Sequence, residues 1–362
     1  MFRALTNRIL RPPTFSLDIS DLTIKFSRLL RRGTGIRLEY FGEVTMPEGI
    51  VVSGEIVKPE DLTAILKKEL RTDDGRPVRE RYCIASLPEE KSFVRLVELP
   101  NITPEEIARA MRWEVEGVIP LPFDQIFFDY ELMPAIPSAR EHRDVLLIAF
   151  PRAIVETYHG VLRDAGLIPL ALELESQAIS RVLVPASSPQ PSLLLVDVGA
   201  TRTSFIIFGG GTLIFTKSIT VGGRDFESAI ARGLAVSPEE ARRVKIEAGL
   251  NKNYREGKVF ASLQPHLAAI TTELEQQLVF YRDHPGRLHT GLGELERVVL
   301  CGGDANLIGL TKYIAAAIKR PTVLGDPFVN FHLPPGAIPP IPKSESLKYT
   351  TAMGLALRGI GY

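Results

Sequence analysis

Two stretches of this sequence place an aspartate where chemistry on a phosphate is feasible. FSLDISDLTIKF (15–26) and LLLVDVGATRTSFIIF (193–208) share one plan: an apolar strand, an Asp, a turn of small residues and a second β-rich strand. Small residues in such a turn let backbone N–H groups approach an anion closely. A carboxylate at the strand end, Asp18 or Asp197, can hold Mg²⁺ and its waters. Two such hairpins facing each other would grip a triphosphate from both sides. A third element, VVLCGGDANLIGL (298–310), reads as a buried strand ending in Gly302–Gly303 and entering a helix, which leaves a side-chain-free shelf for a flat base. Each element alone also has a plain structural reading: two ordinary hairpins, and a strand-to-helix turn that needs glycine only for close packing.

Other chemistries lack their signatures. His142, His159, His266, His284, His289 and His332 show no HExxH or paired ligand spacing, and loop or surface positions account for them. There is no GxxxxGK[ST] loop and no GxSxG elbow. Gly209–Gly211 lie between β-rich runs and read as a hairpin turn rather than a phosphate loop. Cys83 and Cys301 sit in apolar runs and read as reduced, buried thiols. Trp113, the sole tryptophan, is assigned to packing on its helix.

The elements that must position these residues follow from pattern. YCIASL (82–87), FVRLVEL (93–99), FFDYELM (127–133) and VLLIAF (145–150) read as strands. NITPEEIARAMRWEVEG (101–117) reads as a helix capped by Thr103 and opened by Pro104, with Ile107, Ala110, Met111 and Val115 on one face. PRAIVETYHGVLRDAG (151–166) is a second helix, and LALELESQAISRVL (170–183) is a strand running into a helix. DFESAIARGLAVSPEEARRVKIEAGL (225–250) gives two helices broken at Ala235–Ser237, HLAAITTELEQQLVFYRD (266–283) one long helix, and 296–320 a strand, a glycine turn and a helix. Alternating strands and helices mark an α/β protein.

With 362 residues, the chain has room for two or three domains. Its 27 prolines cluster at 133–138, 184–192 and 332–342, which read as linkers. Lys plus Arg and Asp plus Glu both number 43, so no net charge draws the chain to nucleic acid or acidic lipid. The start MFRALTNRILRPP is basic but has no unbroken apolar stretch, so the protein is expected to stay in the cytosol, its terminus frayed rather than anchored.

In order, the Asp18 turn, Glu175, Asp197-Val-Gly199-Ala-Thr201, Gly222–Gly223, Lys245 and Gly302–Gly303 resemble the actin-like ATPase superfamily. Within it SLPEEKSFVRLVELPNITPEEIARAMRWEVEGVIPLPFDQIFFDYEL (86–132), LLLVDVGATRT (193–203) and LCGGDANLIGLTKYI (300–314) are similar to the PilM family of type IV pilus assembly, with FtsA of cell division more distant. The resemblance spans about 15–358 and implies an α/β, actin-like (ribonuclease H-like) two-lobed fold with an inserted FtsA/PilM-type α+β subdomain. The expected division is an N-terminal tail at 1–14, the first lobe at 15–87, the insert at 88–166 and a return with linker at 167–191. The second lobe then occupies 192–335, and a C-terminal segment at 336–362 returns to the first lobe.

The resemblance implies ATP and Mg²⁺ as cofactors. Asp18 and Asp197 match the two phosphate-loop acids and metal sites, Lys25 the lysine that ends D-x-G-x-x-x-x-K, and Ser20, Gly199, Thr201 and Thr203 the turns. Glu175 matches the catalytic acid that orients water or reaches the metal, its plain alternative being a solvated helix residue; Gly222 and Gly223 match the phosphate-proximal pair, and Lys245 and Gly302–Gly303 the adenosine side. Three departures stand out: Ser20-Asp21 where the family has glycine and hydroxyl residues, which adds charge near the phosphates; Arg242 in place of a ribose-binding acid; and Asp304 in place of a small residue. The implied partners are the cytoplasmic N-terminal tail of PilN and other platform proteins, with self-association left open and the membrane reached only through the partner, at the cytoplasmic face of the inner membrane. Nucleic acid is not an expected partner. The alternatives are an actin-superfamily small-molecule kinase, which needs a catalytic base no further loop supplies and which normally lacks the insert, and a scaffold with a decayed nucleotide site.

Overall fold

The computed structural model describes residues 12–33, 35–133, 142–186, 191–283, 294–331 and 339–361. The basic start, parts of the three Pro-rich clusters, His284, His289, His332 and the side chain of His142 lie outside these. His159 is exposed, and His266 meets the ring of Phe226 edge-on.

The same sheet is built twice. In the first, β1 (Thr14–Ile19), β2 (Thr23–Arg32) and β3 (Gly35–Thr45) form an antiparallel meander, a short ribbon of β4 (Val51–Val52) and β5 (Glu55–Ile56) follows, and β6 (Tyr82–Leu87) and β10 (Ile168–Leu174) add in parallel on the far side of β1, giving β10-β6-β1-β2-β3. In the second, β11 (Leu193–Val198), β12 (Thr203–Gly209) and β13 (Thr212–Ile219) form the meander, and β14 (Arg297–Cys301) and β15 (Thr322–Leu324) add in parallel, giving β13-β12-β11-β14-β15. The repeated plan places Asp18 and Asp197 at equivalent strand ends. Gly210 and Gly211, both at positive φ, turn β12 into β13 as the sequence predicts. Strands β11 and β12 are apolar because both their faces are covered: Leu194, Leu195, Val196, Phe205, Ile206 and Ile207 are fully buried. Each such side chain contributes roughly 1.5–3 kcal/mol of burial.

Helices clasp the first sheet. α4 (Glu175–Leu183) packs against α10 (Thr350–Gly359), which lies on β1, β2 and β6. Contact is close enough that a side chain on Gly354 would collide with the backbone of Ala178. α1 (Pro59–Lys68) packs against α3 (Arg152–Asp164), whose Tyr158, Val161 and Leu162 enter the main core.

Between β6 and α3 the chain builds a separate three-stranded sheet, β7 (Phe93–Pro100), β9 (His142–Pro151) and β8 (Ile126–Leu132) in that order, covered by α2 (Pro104–Val118). Ile107, Met111, Val115, Val97, Val145 and Leu147 form its own core. Thr103 caps α2 as the sequence predicts: its hydroxyl accepts the Glu106 N–H at 3.4 Å, and the Glu106 carboxylate accepts the Thr103 N–H at 2.8 Å. Trp113 corrects the packing expectation. It is 74% exposed, because it stands on the side of the helix opposite the Ile107–Met111–Val115 stripe.

The second lobe carries α5 (Gly223–Leu234), α6 (Pro238–Ala248), α7 (Lys258–Asp283) and α8 (Leu310–Ile318), and the short α9 (Lys343–Ser346) leads toward α10. The break between α5 and α6 falls at left-handed Ala235, and Ser237 accepts the Glu240 N–H at 3.2 Å, as read from sequence. α7 begins eight residues before its expected start and runs through Pro265. Buried Val259, Leu263, Leu267 and Ile270 continue one stripe across the proline, so apolar burial outweighs a penalty of about 3 kcal/mol.

Candidate functional site

Hydrophobic strands carry the candidate acids to the point where the two lobes meet. Asp18, buried at the end of β1, stands opposite Lys25 in the β1–β2 register and accepts a hydrogen bond from the Ser86 hydroxyl at 3.0 Å. Burial raises its pKa above the usual carboxylate range, against the pull of Lys25. Asp197 occupies the matching place on β11, beside Cys301 in the parallel β11–β14 register, and the thiol donates to its carboxylate. Burial first, then the Asp18 charge, pushes Asp197 up to about 6. Both cysteines are free and buried, as expected; burial lifts Cys83 to about 12, and burial with the Asp197 charge raises Cys301 well above its ordinary value.

Glu175 opens α4 and joins this group. Burial, and then the charges of Asp18, Glu89 and Asp197, raise it well above the ordinary range. Glu89 was given no role by the sequence, yet it is 4% exposed, and its carboxylate accepts both the Ser176 N–H at 3.1 Å and the Ser176 hydroxyl at 3.0 Å. The one available signal was a pair of acids, Glu89-Glu90, straight after an apolar strand. Four carboxylates thus crowd one region, with Lys25 and Arg202 as the cations that act on them.

The two turns touch. The Thr201 hydroxyl donates to Asp21 at 2.9 Å, the Gly54 N–H donates to the other Asp21 oxygen at 2.9 Å, and Arg202 lies 3.3 Å from both oxygens. The extra charge expected at Asp21 is therefore already bonded and paired. Ser20 spends its hydroxyl inside its own turn on Thr23, Lys25 donates to Thr23 Oγ1 at 2.7 Å, and Gly199 N–H closes the second turn on Arg202 C=O at 2.9 Å. Thr203 is fully buried and donates to Val221 C=O at 2.7 Å, so its side chain faces the protein rather than the cleft. A cavity of about 570 Å³ opens beside the turns, lined by Leu22, Val51, Ser53, Thr201, Arg224 and Ser228 among others.

The adenosine-side residues adjoin this cluster. Gly302, at φ +88°, has no room for a Cβ, because Asp197 Oδ1 and Val198 C=O press on its Cα. Gly222 caps α5 directly against Ala200 and Arg202, and Gly223 lies against the Asp304 carboxylate. Lys245 holds Asp304 at 2.5 Å and Glu227 at 2.8 Å. Burial raises the Asp304 carboxyl while Lys245 opposes the rise. Gly303 has its nearest neighbour, Lys348 Cβ, at 3.7 Å and leaves open space above the loop. One surface therefore runs from the β1–β2 turn through the β11–β12 turn and the start of α5 to the 302–304 loop. It can grip an extended anionic ligand. Among the described residues, no three His, Cys, Asp or Glu side chains converge as a ready-made metal cage.

Bacillus subtilis cell division protein FtsA is 27% identical over 210 residues, covering 55% of this chain and 41% of FtsA; the Agrobacterium fabrum FtsA is 26% identical over 181 residues, covering 45% and 39%. The chain spans about two fifths of the length of these curated relatives. Among solved structures, the PilM-PilN type IV pilus biogenesis complex aligns with a TM-score of 0.80 at 24% identity over 97% of this chain and all of that one. MreB5 of Spiroplasma citri bound to ADP aligns at 0.51 with 14% identity over 95% and 94%. These likenesses show the actin-like fold. Residues 16–360 match the family described as type IV pilus assembly protein PilM, and the chain belongs to that family.

Proposed function

We propose that this chain is a component of a type IV pilus assembly platform that binds ATP with Mg²⁺ between its lobes and captures the N-terminal cytoplasmic tail of PilN. The observation that carries the reading is the meeting of two equivalent Asp-bearing turns, Asp18 and Asp197, at one crowded group of acids. Burial raises Asp18, Glu175 and Asp197, and for Glu175 and Asp197 neighbouring carboxylates add to the rise; a hard, oxygen-seeking cation would fit the uncompensated acids of this group. Asp18 and Asp197 would hold Mg²⁺ together with waters and phosphate oxygens. The metal would supply charge neutralisation at the phosphates.

This chain's own residues do the rest. Lys25 and the β11–β12 turn would meet the phosphates beside the positive end of α5, whose Gly222 and Gly223 N–H groups are themselves held by Asp225 and by Gly199 C=O. On this reading Lys245 and Gly302–Gly303 would border the nucleoside, and Glu175, at the start of α4, would orient a water. Hydrolysis on this reading is slow, and ATP acts chiefly by favouring one lobe arrangement over another. The solved PilM-PilN complex supports PilN as the partner, and through PilN the chain would sit at the cytoplasmic face of the inner membrane. No described helix is long and apolar enough to cross a membrane. The test is titration of a synthetic PilN tail peptide with and without Mg·ATP. Binding is expected, and no binding at high micromolar peptide in either condition contradicts the reading.

A further inference from the structure

We propose that Arg202 is the residue through which occupancy of the two-turn cleft is read by the three-stranded subdomain, with Glu90 as its partner on the subdomain side. The inference rests on the nucleotide reading above and adds a route to it. Arg202 sits in the β11–β12 turn with its side chain 16% exposed. One guanidinium nitrogen faces both oxygens of Asp21 in the opposite turn, and another pairs with Glu90. Two carboxylates from different segments thus share a single guanidinium.

Glu90 belongs to the short turn Glu89–Lys91, which leaves the end of β6 and, after Ser92, becomes β7 of the subdomain. Its neighbour Glu89 holds the Ser176 N–H and hydroxyl, and so fixes the first turn of α4 next to Glu175. The Ser92 hydroxyl closes the turn on Glu89 C=O at 2.6 Å. Beneath the turn lies Gly54, where any side chain would strike Pro88 and the Glu90 carboxylate. The Gly54 N–H goes to Asp21, and its C=O accepts the Tyr158 hydroxyl at 2.9 Å from α3, the helix by which the chain leaves the subdomain. Asp21, Arg202, Glu90 and Gly54 therefore tie the entrance and the exit of the subdomain to the tips of both turns.

A guanidinium is a forked donor that pairs readily with phosphate. A phosphate placed between the turns competes with Asp21 and Glu90 for the same donors. When Arg202 turns toward the ligand, the hold on Glu90 weakens, and the turn that begins β7 is released. Arg202 is thus a positioning residue for the subdomain that becomes a ligand contact when the cleft fills.

The test is a linkage measurement. Mg·ATP is titrated into the full chain with and without saturating PilN tail peptide, for the parent and for Glu90→Gln. In the parent the two ATP dissociation constants are expected to differ about fivefold or more, and the reverse titration must return the same factor. Glu90→Gln is expected to keep ATP binding while the factor collapses toward one. A parent factor of one, or an unchanged factor in Glu90→Gln, overturns the inference and leaves the nucleotide reading standing; a parent that binds no ATP overturns both. A second measurement uses no ligand: amide hydrogen exchange in Glu90→Gln is expected to rise together at 93–100 and 199–203. A rise confined to 88–92 contradicts the proposal.

Discussion

Asp197 is held by the fold at a cost. Its folded pKa of about 6 lies above the ordinary 3.8, so between those values the folded state binds the proton more tightly than the unfolded chain does. Stability from this group therefore falls as pH rises from about 4 to about 6, by an amount on the order of 3 kcal/mol, and stays reduced above that. Asp197→Asn removes the charge and is expected to raise the melting temperature at pH 7.5, with the gain shrinking below pH 5, while the thermal shift produced by Mg·ATP disappears. Thermal melts across pH check both, and a variant that melts below the parent at pH 7.5 contradicts the burial argument. Asp18 and Asp197 were legible in the sequence because each ends an apolar run just before a small-residue turn. Glu89 and Arg202 were not, since their partners lie 87 and 181 positions away in the chain and only the folded sheets bring them together.

At the scale of elements, Glu175 is positioned by the packing of α4 on α10. Gly354→Ala would push a methyl into Ala178 C=O and is expected to destabilise the chain by roughly 1–3 kcal/mol while weakening nucleotide binding. Gly303→Ala meets nothing closer than 3.7 Å and is expected to leave the unfolding midpoint unchanged. Denaturant melts separate the two, and equal losses contradict the packing account. In α2 the same logic gives opposite fates to neighbours: Met111→Ala in the subdomain core is expected to cost about 2–5 kcal/mol, whereas exposed Trp113→Ala stays within about 0.5 kcal/mol. The stripe Ile107–Met111–Val115 was readable from spacing alone. That Trp113 faces away follows from the same spacing, but the pull of a large apolar residue toward burial obscured it. The true start of α7 was hidden by Pro265, a local stop signal that tertiary burial overrides.

At the scale of the whole molecule, the recurrence of one hairpin in the sequence foreshadowed two sheets of one plan, and the structure shows the rest of each sheet following suit. What crosses between the lobes is unevenly exposed. Glu48–Arg224 at 3.0 Å has side chains 72% and 53% exposed and contributes little, whereas Asp21 with Thr201 and Arg202 is nearly enclosed and forms the stronger tie. Such a tie holds the two turns together, and a nucleotide bound as proposed would exchange partners with it. The most direct measurement is calorimetric titration of Mg·ATP into the purified chain beside an Asp197→Ala variant that keeps its fold. Micromolar binding by the parent, lost in the variant, is the expected result. A parent that takes up no nucleotide would contradict the account and leave a scaffold whose cleft is closed on its own charges.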